Sequence, residues 1–464
     1  MEMPFNSFDH YPLTWKPDKG RLKPPYCQSL AADLEHKIKN GLLKAGTKLP
    51  PQREIADYLD LNYTTITRVY ETCKKKGLIY GVMGKGTFVL PHASEDTILT
   101  TENLLEQCID LGAINGFSEY STLVEKATCS VVEKGYLRHL YEYSFPAGHP
   151  HQLAAGARWM EQMGTHATIE NTAVFSGAQN ALTVALVSLF SPGDKIAADT
   201  YTYPNLIEIA KLLHLVLVPV RGDSEGMLPE ELQRQCAANR IKGIYLMPTF
   251  SNPTTISLSY SRRKALAQVI QKNGLVLLED DIATWLVASG TSVTPSMFDI
   301  LNGESIYICG MTKSLCPGLR IAYMAFGECY RRQILHGLSN INIKTSSFDA
   351  EVITELILNG DAYKIAAHKR SLTRKACDLF SGLFSDMYPD DGGMGYFRWI
   401  PIPSKQSAHE VETELIKRGI RVYHSQRFMV TTGAGQEYLR VSLCSAGSMK
   451  RLETGLKILK EYLR

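Results

Sequence analysis

The sequence predicts an α/β protein in two folded parts, a small helical head and a large domain with a mostly parallel sheet covered by helices. Three observations carry that reading. A chain of 464 residues exceeds one ordinary domain. From Ile109 onward, short apolar runs alternate with longer helical stretches, as strands and helices do when wound into one sheet. Positive charge is also concentrated at one end. Residues 23–91 hold eleven Lys/Arg against six Asp/Glu, a net +5, whereas the whole chain carries only +3 and residues 1–22 are balanced.

Composition narrows the class. Hydrophobic residues make up 44% and charged residues 21%, the balance of a globular protein with ample core material. No apolar run approaches the roughly 18 residues of a membrane helix. Met1-Glu2-Met3-Pro4-Phe5-Asn6 lacks the basic start and apolar stretch of a secretory signal. Ten cysteines occur without a Cys-x-x-Cys pair, so neither a zinc ribbon nor a disulfide framework is expected. The expectation is a cytoplasmic protein with reduced thiols, no metal and no membrane partner. The basic surplus assigns a polyanionic partner to the head.

Residues 1–22, with Pro4, Pro12 and Pro17, read as a loosely ordered extension. The head, 23–91, starts a helix at Tyr26 in which Leu30, Leu34, Ile38 and Leu42 recur every four residues until Gly41 and Gly46 interrupt. A second helix runs from Pro51 to Leu59, with Ile55, Ala56 and Leu59 inward and proline in its first turn. Three residues later a third runs from about Tyr63 to Lys76, with Ile66, Val69, Tyr70 and Cys73 on one side. Its first turns carry Tyr63, Thr64, Thr65, Thr67 and Arg68, short polar and aromatic groups suited to base edges and phosphates. Two helices joined by a short turn, the second so equipped, form a helix-turn-helix. Residues 77–89 then bracket Gly84-Lys85-Gly86 with two apolar stretches, a wing whose tip offers Lys85 to phosphate or minor groove. A helical dimerisation module, with Lys74-Lys75-Lys76 as a solvated face, is the alternative.

Residues 92–108 are polar and without a clear period, a linker in which 101–105 could start a short helix. In the large domain, 109–464, the strand candidates are Thr172-Ala173-Val174-Phe175, Lys195-Ile196-Ala197-Ala198, Val216-Leu217-Val218-Pro219-Val220, Gly243-Ile244-Tyr245-Leu246-Met247, Leu275-Val276-Leu277-Leu278 and Ser305-Ile306-Tyr307-Ile308-Cys309. Helical stretches at 178–190 and 262–272 lie between them. Such a sheet binds ligands at the carboxyl ends of its strands, and the polar residues there form a series. Ser176-Gly177-Ala178-Gln179 opens a helix whose N–H groups suit a phosphate. Tyr203 offers a ring to a flat ligand, and Asn252 an amide to a phenolic oxygen. Glu279-Asp280-Asp281 closes a very apolar strand, where carboxylates need partners. Asp280 suits a protonated pyridine nitrogen; a divalent metal is the second reading of the trio, disfavoured by the lack of a nearby His. Lys313 follows an apolar run and precedes Arg320 by seven residues, pairing an amine for a Schiff base with a guanidinium for a phosphate.

These motifs resemble known families. The segment from Gly41-Leu42-Leu43 to Lys48-Leu49-Pro50, then Gln52-Arg53-Glu54-Ile55-Ala56, Gly77-Leu78-Ile79 and Gly84-Lys85-Gly86-Thr87-Phe88-Val89, resembles the winged helix-turn-helix of the GntR superfamily of bacterial regulators. That implies operator DNA as a partner, with Arg53, Thr64, Arg68 and Lys85 as contacts. Gly177-Ala178-Gln179, Tyr203, Asn252-Pro253, Asp280, Lys313 and Arg320 fall in the order of fold-type I aminotransferases. Head and domain together resemble the MocR subfamily. The resemblance implies pyridoxal 5′-phosphate (PLP) on Lys313, Asp280 on the pyridine nitrogen, Asn252 on the 3′-oxygen and Tyr203 stacked on the ring. Arg320, Ala178 and Gln179 would hold the phosphate. It also implies a homodimer, with heads swapped onto the partner's large domain, in which Tyr143 reaches the other subunit's phosphate. Arg440, in Tyr438-Leu439-Arg440-Val441-Ser442, would clamp a substrate or effector carboxylate.

Two positions depart from the family pattern. Ile282-Ala283 stands where members often place a tyrosine on the 3′-oxygen, and Gly310 where they carry a phosphate-binding Ser or Thr, a loss that Thr312 offsets in part. Schiff-base formation survives both changes, but efficient turnover is disfavoured. The expected function is a regulator that binds operator DNA and senses PLP or an amino-compound effector. The alternatives are an active aminotransferase with an accessory DNA-binding module, and a cofactor-free scaffold used only for dimerisation.

Overall fold

The computed structural model describes residues 14–18, 20, 22–39, 42–44, 46–75, 78–82, 86–89, 108–117, 121–287, 293–388, 393–402, 408–431 and 437–464. The chain divides into two units, Met1–Cys108 and Ile109–Arg464. Among the described residues no helix is long and apolar enough to cross a membrane.

The first unit contains α1 (Tyr26–Lys39), α2 (Gln52–Leu59) and α3 (Tyr63–Lys75), followed by β1 (Ile79–Val82) and β2 (Gly86–Val89). The strands pair antiparallel with Tyr80 opposite Phe88. Leu30, Leu34, Ile38, Ile55, Ile66, Val69, Tyr70 and Cys73 form the core, so the helical period read from the sequence marks the buried face. Asp60, with φ 55°, ends α2 in the left-handed region and opens the short turn into α3. The Tyr70 hydroxyl donates to the Pro50 carbonyl at 2.6 Å, tying α3 to the start of α2.

Two expectations need correction. Leu42 is 71% exposed, and Leu43 is buried instead. The four-residue spacing lapses because α1 has ended at Lys39 and the chain no longer turns with a helical period. Nor is the N-terminal extension loose throughout. Trp15 is 1% exposed, donates Nε1–H to Asp33 Oδ2 at 2.9 Å and lies tilted on the Tyr70 ring at 6.1 Å. A small three-helix head has little interior, and this indole completes it. Lys85 and residues 101–105 lie outside the described residues.

The second unit opens with β3 (Ile109–Asp110). There follow β4 (Thr172–Phe175), β5 (Lys195–Asp199), β6 (Val216–Val220), the hairpin β7 (Gly222–Asp223) and β8 (Gly226–Met227), then β9 (Ile241–Leu246), β10 (Val276–Asp281), β11 (Ile306–Gly310) and β12 (Ala322–Phe326). One seven-stranded sheet runs in the order β4-β12-β11-β10-β9-β5-β6. Pairing is parallel from β11 through to β6, and β12 is antiparallel to both of its neighbours. The sheet is therefore mostly parallel, as expected, although β12 was not anticipated from the sequence. Every residue of β4, β11 and β12 is buried, as in a sheet covered on both faces. Its interior splits into a layer around Trp159, Tyr307 and Tyr323 and another around Leu186, Met324 and Phe326.

The C-terminal part adds β13 (Phe397–Ile402), β14 (Ile420–Arg421), β15 (Tyr423–His424) and β16 (Glu437–Ser442). Antiparallel β13-β16-β15 carries Arg440, while β14 pairs parallel with β3. The opening strand of the unit is thus stitched to its closing region, and the turn after β3 lies over the strand ends. Because a buried indole fills the small head core, Trp15→Ala in the full-length chain is expected to cost about 3 kcal/mol of head stability. Thermal or urea unfolding followed at the head tests this, and an unchanged transition would contradict the assignment.

Candidate cofactor pocket and nucleic-acid interface

The carboxyl ends of β4, β10 and β11, with the loops after β5 and β9, bring most of the expected pocket residues together. After β4, Gly177 adopts φ +89° and caps the helix Ala178–Leu189. A Cβ at Gly177 would lie 2.8 Å from Arg320 Nη2, so glycine is what admits the guanidinium to this helix N-terminus. Arg320 itself has φ 52°, in the left-handed region that side chains rarely occupy. A helix N-terminus and an arginine facing it form an anion seat. Gln179 accepts from the Tyr203 hydroxyl at 3.0 Å and fixes that ring beside the seat. Burial, reinforced by Asp280, pushes the Tyr203 hydroxyl up to about 12, so it remains a donor.

Strand alternation separates the three carboxylates of β10. Glu279 accepts from the Met297 and Phe298 N–H groups at 3.1 and 2.9 Å. Asp281 accepts from the Tyr307 hydroxyl at 2.5 Å and from the N–H groups of Ala283 and Thr284. Asp280 points the other way, where Oδ2 accepts from the Tyr245 hydroxyl at 2.7 Å and Oδ1 has no partner. Burial pushes the Asp280 carboxyl up to about 6 against the pull of Tyr245. The trio does not converge, and among the described residues no group of three His, Cys, Asp or Glu could hold a metal ion.

Lys313 lies in the short helix Met311–Ser314 after β11, and its Nζ donates to the Ile114 carbonyl. The carbonyls around it are held in turn, because buried Lys369 Nζ donates to Leu315 O at 2.6 Å and to Lys313 O at 3.3 Å. Burial, with further effect from Arg320 and Arg440, lowers the Lys313 ammonium below its ordinary value and favours the nucleophilic amine. Thr312 is half-buried beside it. A Cβ at Gly310 would come within 3.3 Å of the Ala178 Cβ, so the residue that replaces the family hydroxyl packs directly against the anion seat.

Arg440 is 4% exposed, donating Nη1–H to Asn252 Oδ1 at 2.8 Å and Nη2–H to Gly112 O at 2.5 Å. It stands over the Phe428 ring at 4.7 Å, and its Nε has no partner. Burial brings the guanidinium down to about 10, and among the described residues no carboxylate is paired with it. Tyr143 stands apart, 87% exposed in an aromatic segment where neighbouring Tyr141 stacks on Phe348.

On the head, Arg53, Tyr63, Thr64 and Arg68 are exposed, with the Arg53 guanidinium 5.9 Å from the Tyr63 ring centroid. Thr65 is half-buried. Thr67 is engaged internally, donating to Gln52 Oε1 at 3.0 Å and Tyr63 O at 3.1 Å. Asn62 Oδ1 accepts from both the N–H and the hydroxyl of Thr64 at 3.0 Å and caps the recognition helix.

Comparison with known proteins now bears on this geometry. Residues 27–89 match the gntR family of bacterial regulatory proteins, and residues 113–459 match the class I and II aminotransferases. YdeF, an HTH-type transcriptional regulator of Bacillus subtilis strain 168, is 34% identical over 462 residues, 99% of each chain. The chain belongs to the MocR-like GntR regulators. This MocR-like chain is also similar to the HTH-type regulator NorG of Staphylococcus aureus N315, at 21% identity over 76% of this chain and 86% of NorG. Among solved structures, an archaeal alanine:glyoxylate aminotransferase superposes with TM-score 0.71 at 21% identity, covering 77% of this chain and 90% of that one. Pyrococcus horikoshii kynurenine aminotransferase gives 0.70 at 20% identity, covering 77% and 92%. The large unit of the regulator therefore has the aminotransferase fold.

Sequence reasoning missed Tyr245, Lys369 and the backbone of Gly112 and Ile114. Tyr245 carried a signal, since a tyrosine inside an otherwise apolar strand needs a partner for its hydroxyl. The carbonyls carried none. An acid raised by burial costs stability wherever it is ionised in the unfolded chain, hence above the ordinary value of 3.8 and increasingly toward about 6. Asp280→Asn should therefore stabilise the cofactor-free protein at pH 8 by about 1–3 kcal/mol and leave it little changed at pH 4. Melting curves at the two pH values check this, and destabilisation at pH 8 would contradict it.

Proposed function

We propose that the large domain binds PLP through Lys313 and reports the cofactor, or an amino compound meeting it, to the DNA-binding head. The observation that carries this reading is the bare Oδ1 of buried Asp280. A protonated ring nitrogen would satisfy that oxygen and keep the carboxylate charged, which an empty apolar site does not favour. The cradle that a Cβ at Gly177 would fill fits the phosphate of the same cofactor. When bound, PLP supplies an electrophilic carbonyl conjugated to an electron-withdrawing ring.

The chain's own residues perform the rest. Lys313, desolvated, supplies the amine; Ala178, Gln179, Thr312 and Arg320 hold the phosphate; Tyr203 flanks the ring. Asn252, with Oδ1 engaged by Arg440, keeps its amide hydrogens for the 3′-oxygen. Arg440, buried and in no ion pair among the described residues, suits the carboxylate of an amino acid. Ile282 and Gly310 provide no hydroxyl at two cofactor-contact positions, which favours sensing over rapid turnover. In a homodimer, exposed Tyr143 would reach the other copy's phosphate, and paired heads would read paired half-sites on operator DNA in the cytoplasm. Effector binding then shifts the populations of two head arrangements. The buried Arg440, with no partner for its Nε among the described residues, also suits a transaminase substrate, and sustained conversion of amino donors to keto acids would establish that second reading.

Protein loaded with PLP should show a visible-to-near-ultraviolet band that Lys313→Ala abolishes. Gly177→Ala should weaken PLP at least tenfold by displacing Arg320. A protein that remains colourless with added PLP would contradict both expectations. On the head, Arg68→Ala should weaken operator binding and reduce the dependence of log affinity on log salt by about one unit. Unchanged affinity and slope would remove Arg68 from the interface.

A further inference from the structure

We infer that the large domain carries a second ligand site, for an organic cation with an aromatic or apolar body, between Asp199 and the rings of Tyr201, Trp399 and Tyr438. The cleft measures about 470 Å³, the size of a small-molecule pocket. It lies beyond the carboxyl ends of β5, β6 and β9, with walls completed from β13 and β16. Lys313, Asp280, Arg320 and Arg440 do not line it, so it is distinct from the cofactor pocket.

Its chemistry comes from two sources. Asp199 closes β5 and brings a carboxylate to the cleft wall, where burial alone pushes it up to about 7. Among the described residues neither a cation nor a hydrogen-bond donor is paired with it. Arg221 on the rim acts on Glu231 instead. The second source is a set of three rings. Trp399 and Tyr438 stack at 5.0 Å and 12°, and Tyr201 meets them edge-on at 5.2 and 5.9 Å. Ser251 and Thr254 add hydroxyls to the wall. A desolvated carboxylate attracts a cation, and aromatic faces attract the same charge while shielding an apolar body from water. An anion would meet the Asp199 charge, and a neutral ligand would leave the carboxylate unpaired.

The site also borders the cofactor region electrostatically. The Asp199 charge acts on Tyr245, the residue whose hydroxyl holds Asp280.

Benzamidinium is a suitable probe, being flat, cationic and able to pair its amidine with a carboxylate without condensing with an aldehyde as an amine would. Benzamide is its neutral counterpart. Calorimetric titration of the full-length protein should show one saturable benzamidinium site and at least tenfold weaker benzamide binding. Asp199→Asn, nearly isosteric, should weaken benzamidinium at least tenfold. Trp399→Leu should weaken it severalfold, and Lys313→Ala should leave it unchanged. Lack of saturation, equal affinity in Asp199→Asn, or loss of binding in Lys313→Ala would overturn the assignment. The last outcome would place the probe in the cofactor pocket instead. Because the probe does not use the lysine, this test can fail or succeed whatever the fate of the PLP reading.

Discussion

The pocket depends on one hydrogen bond made under duress. Asp280 sits at the end of an apolar strand, buried, with Tyr245 donating to one oxygen and nothing among the described residues donating to the other. A half-satisfied carboxylate costs on the order of 1–3 kcal/mol in a water-poor interior. The fold tolerates that cost because the sheet around it is buried on both faces and packed from two layers. The neighbouring carboxylates show the ordinary solution, since both oxygens of Glu279 and of Asp281 accept from N–H groups or a hydroxyl. Only the middle member of the trio has an oxygen with no donor among the described residues.

Around that residue, the other polar groups are also held short of completion. Arg440 is fixed by Asn252 and Gly112 and retains a free Nε. Lys313 rests against a backbone carbonyl, with its charge disfavoured by burial and two arginines. Arg320 adopts an uncommon backbone conformation to place its guanidinium at a glycine-capped helix. Lys313 and Arg320 lie next to strand ends, where the parallel topology gathers loops from distant parts of the chain, whereas Arg440 reaches them from within β16. The turn after the opening strand completes the pocket, tethered by the parallel pairing with Ile420–Arg421 near the C-terminus.

Much of this was legible in the sequence because short-range rules govern it. Apolar runs located β4, β6 and β11 closely, and the helical period of α3 marked Ile66, Val69, Tyr70 and Cys73 as core. Motif order marked Gly177, Tyr203, Asn252 and Lys313, each of which lies in the segment that follows a strand. What escaped depends on long-range geometry. Leu42 kept the helical spacing after the helix had ended. Trp15 lies among prolines and gains its role only from Asp33 and Tyr70. Strand β12 was hidden because its apolar run follows directly on the Arg320 loop. Asp199 and Tyr438 are far apart in the chain, and only the folded domain makes them walls of one cleft.

In the proposed function, occupancy of the cofactor pocket and binding by the head are two readings of one equilibrium. If so, the coupling is reciprocal. The most direct measurement titrates PLP-loaded protein with a panel of amino acids, following the cofactor band, with and without saturating operator DNA, and then measures operator affinity with and without the same ligands. At least one amino compound is expected to change affinity severalfold with operator present, and operator affinity to change by the same factor. Spectral changes with every reactive amine, but no change in operator affinity with any, would contradict it.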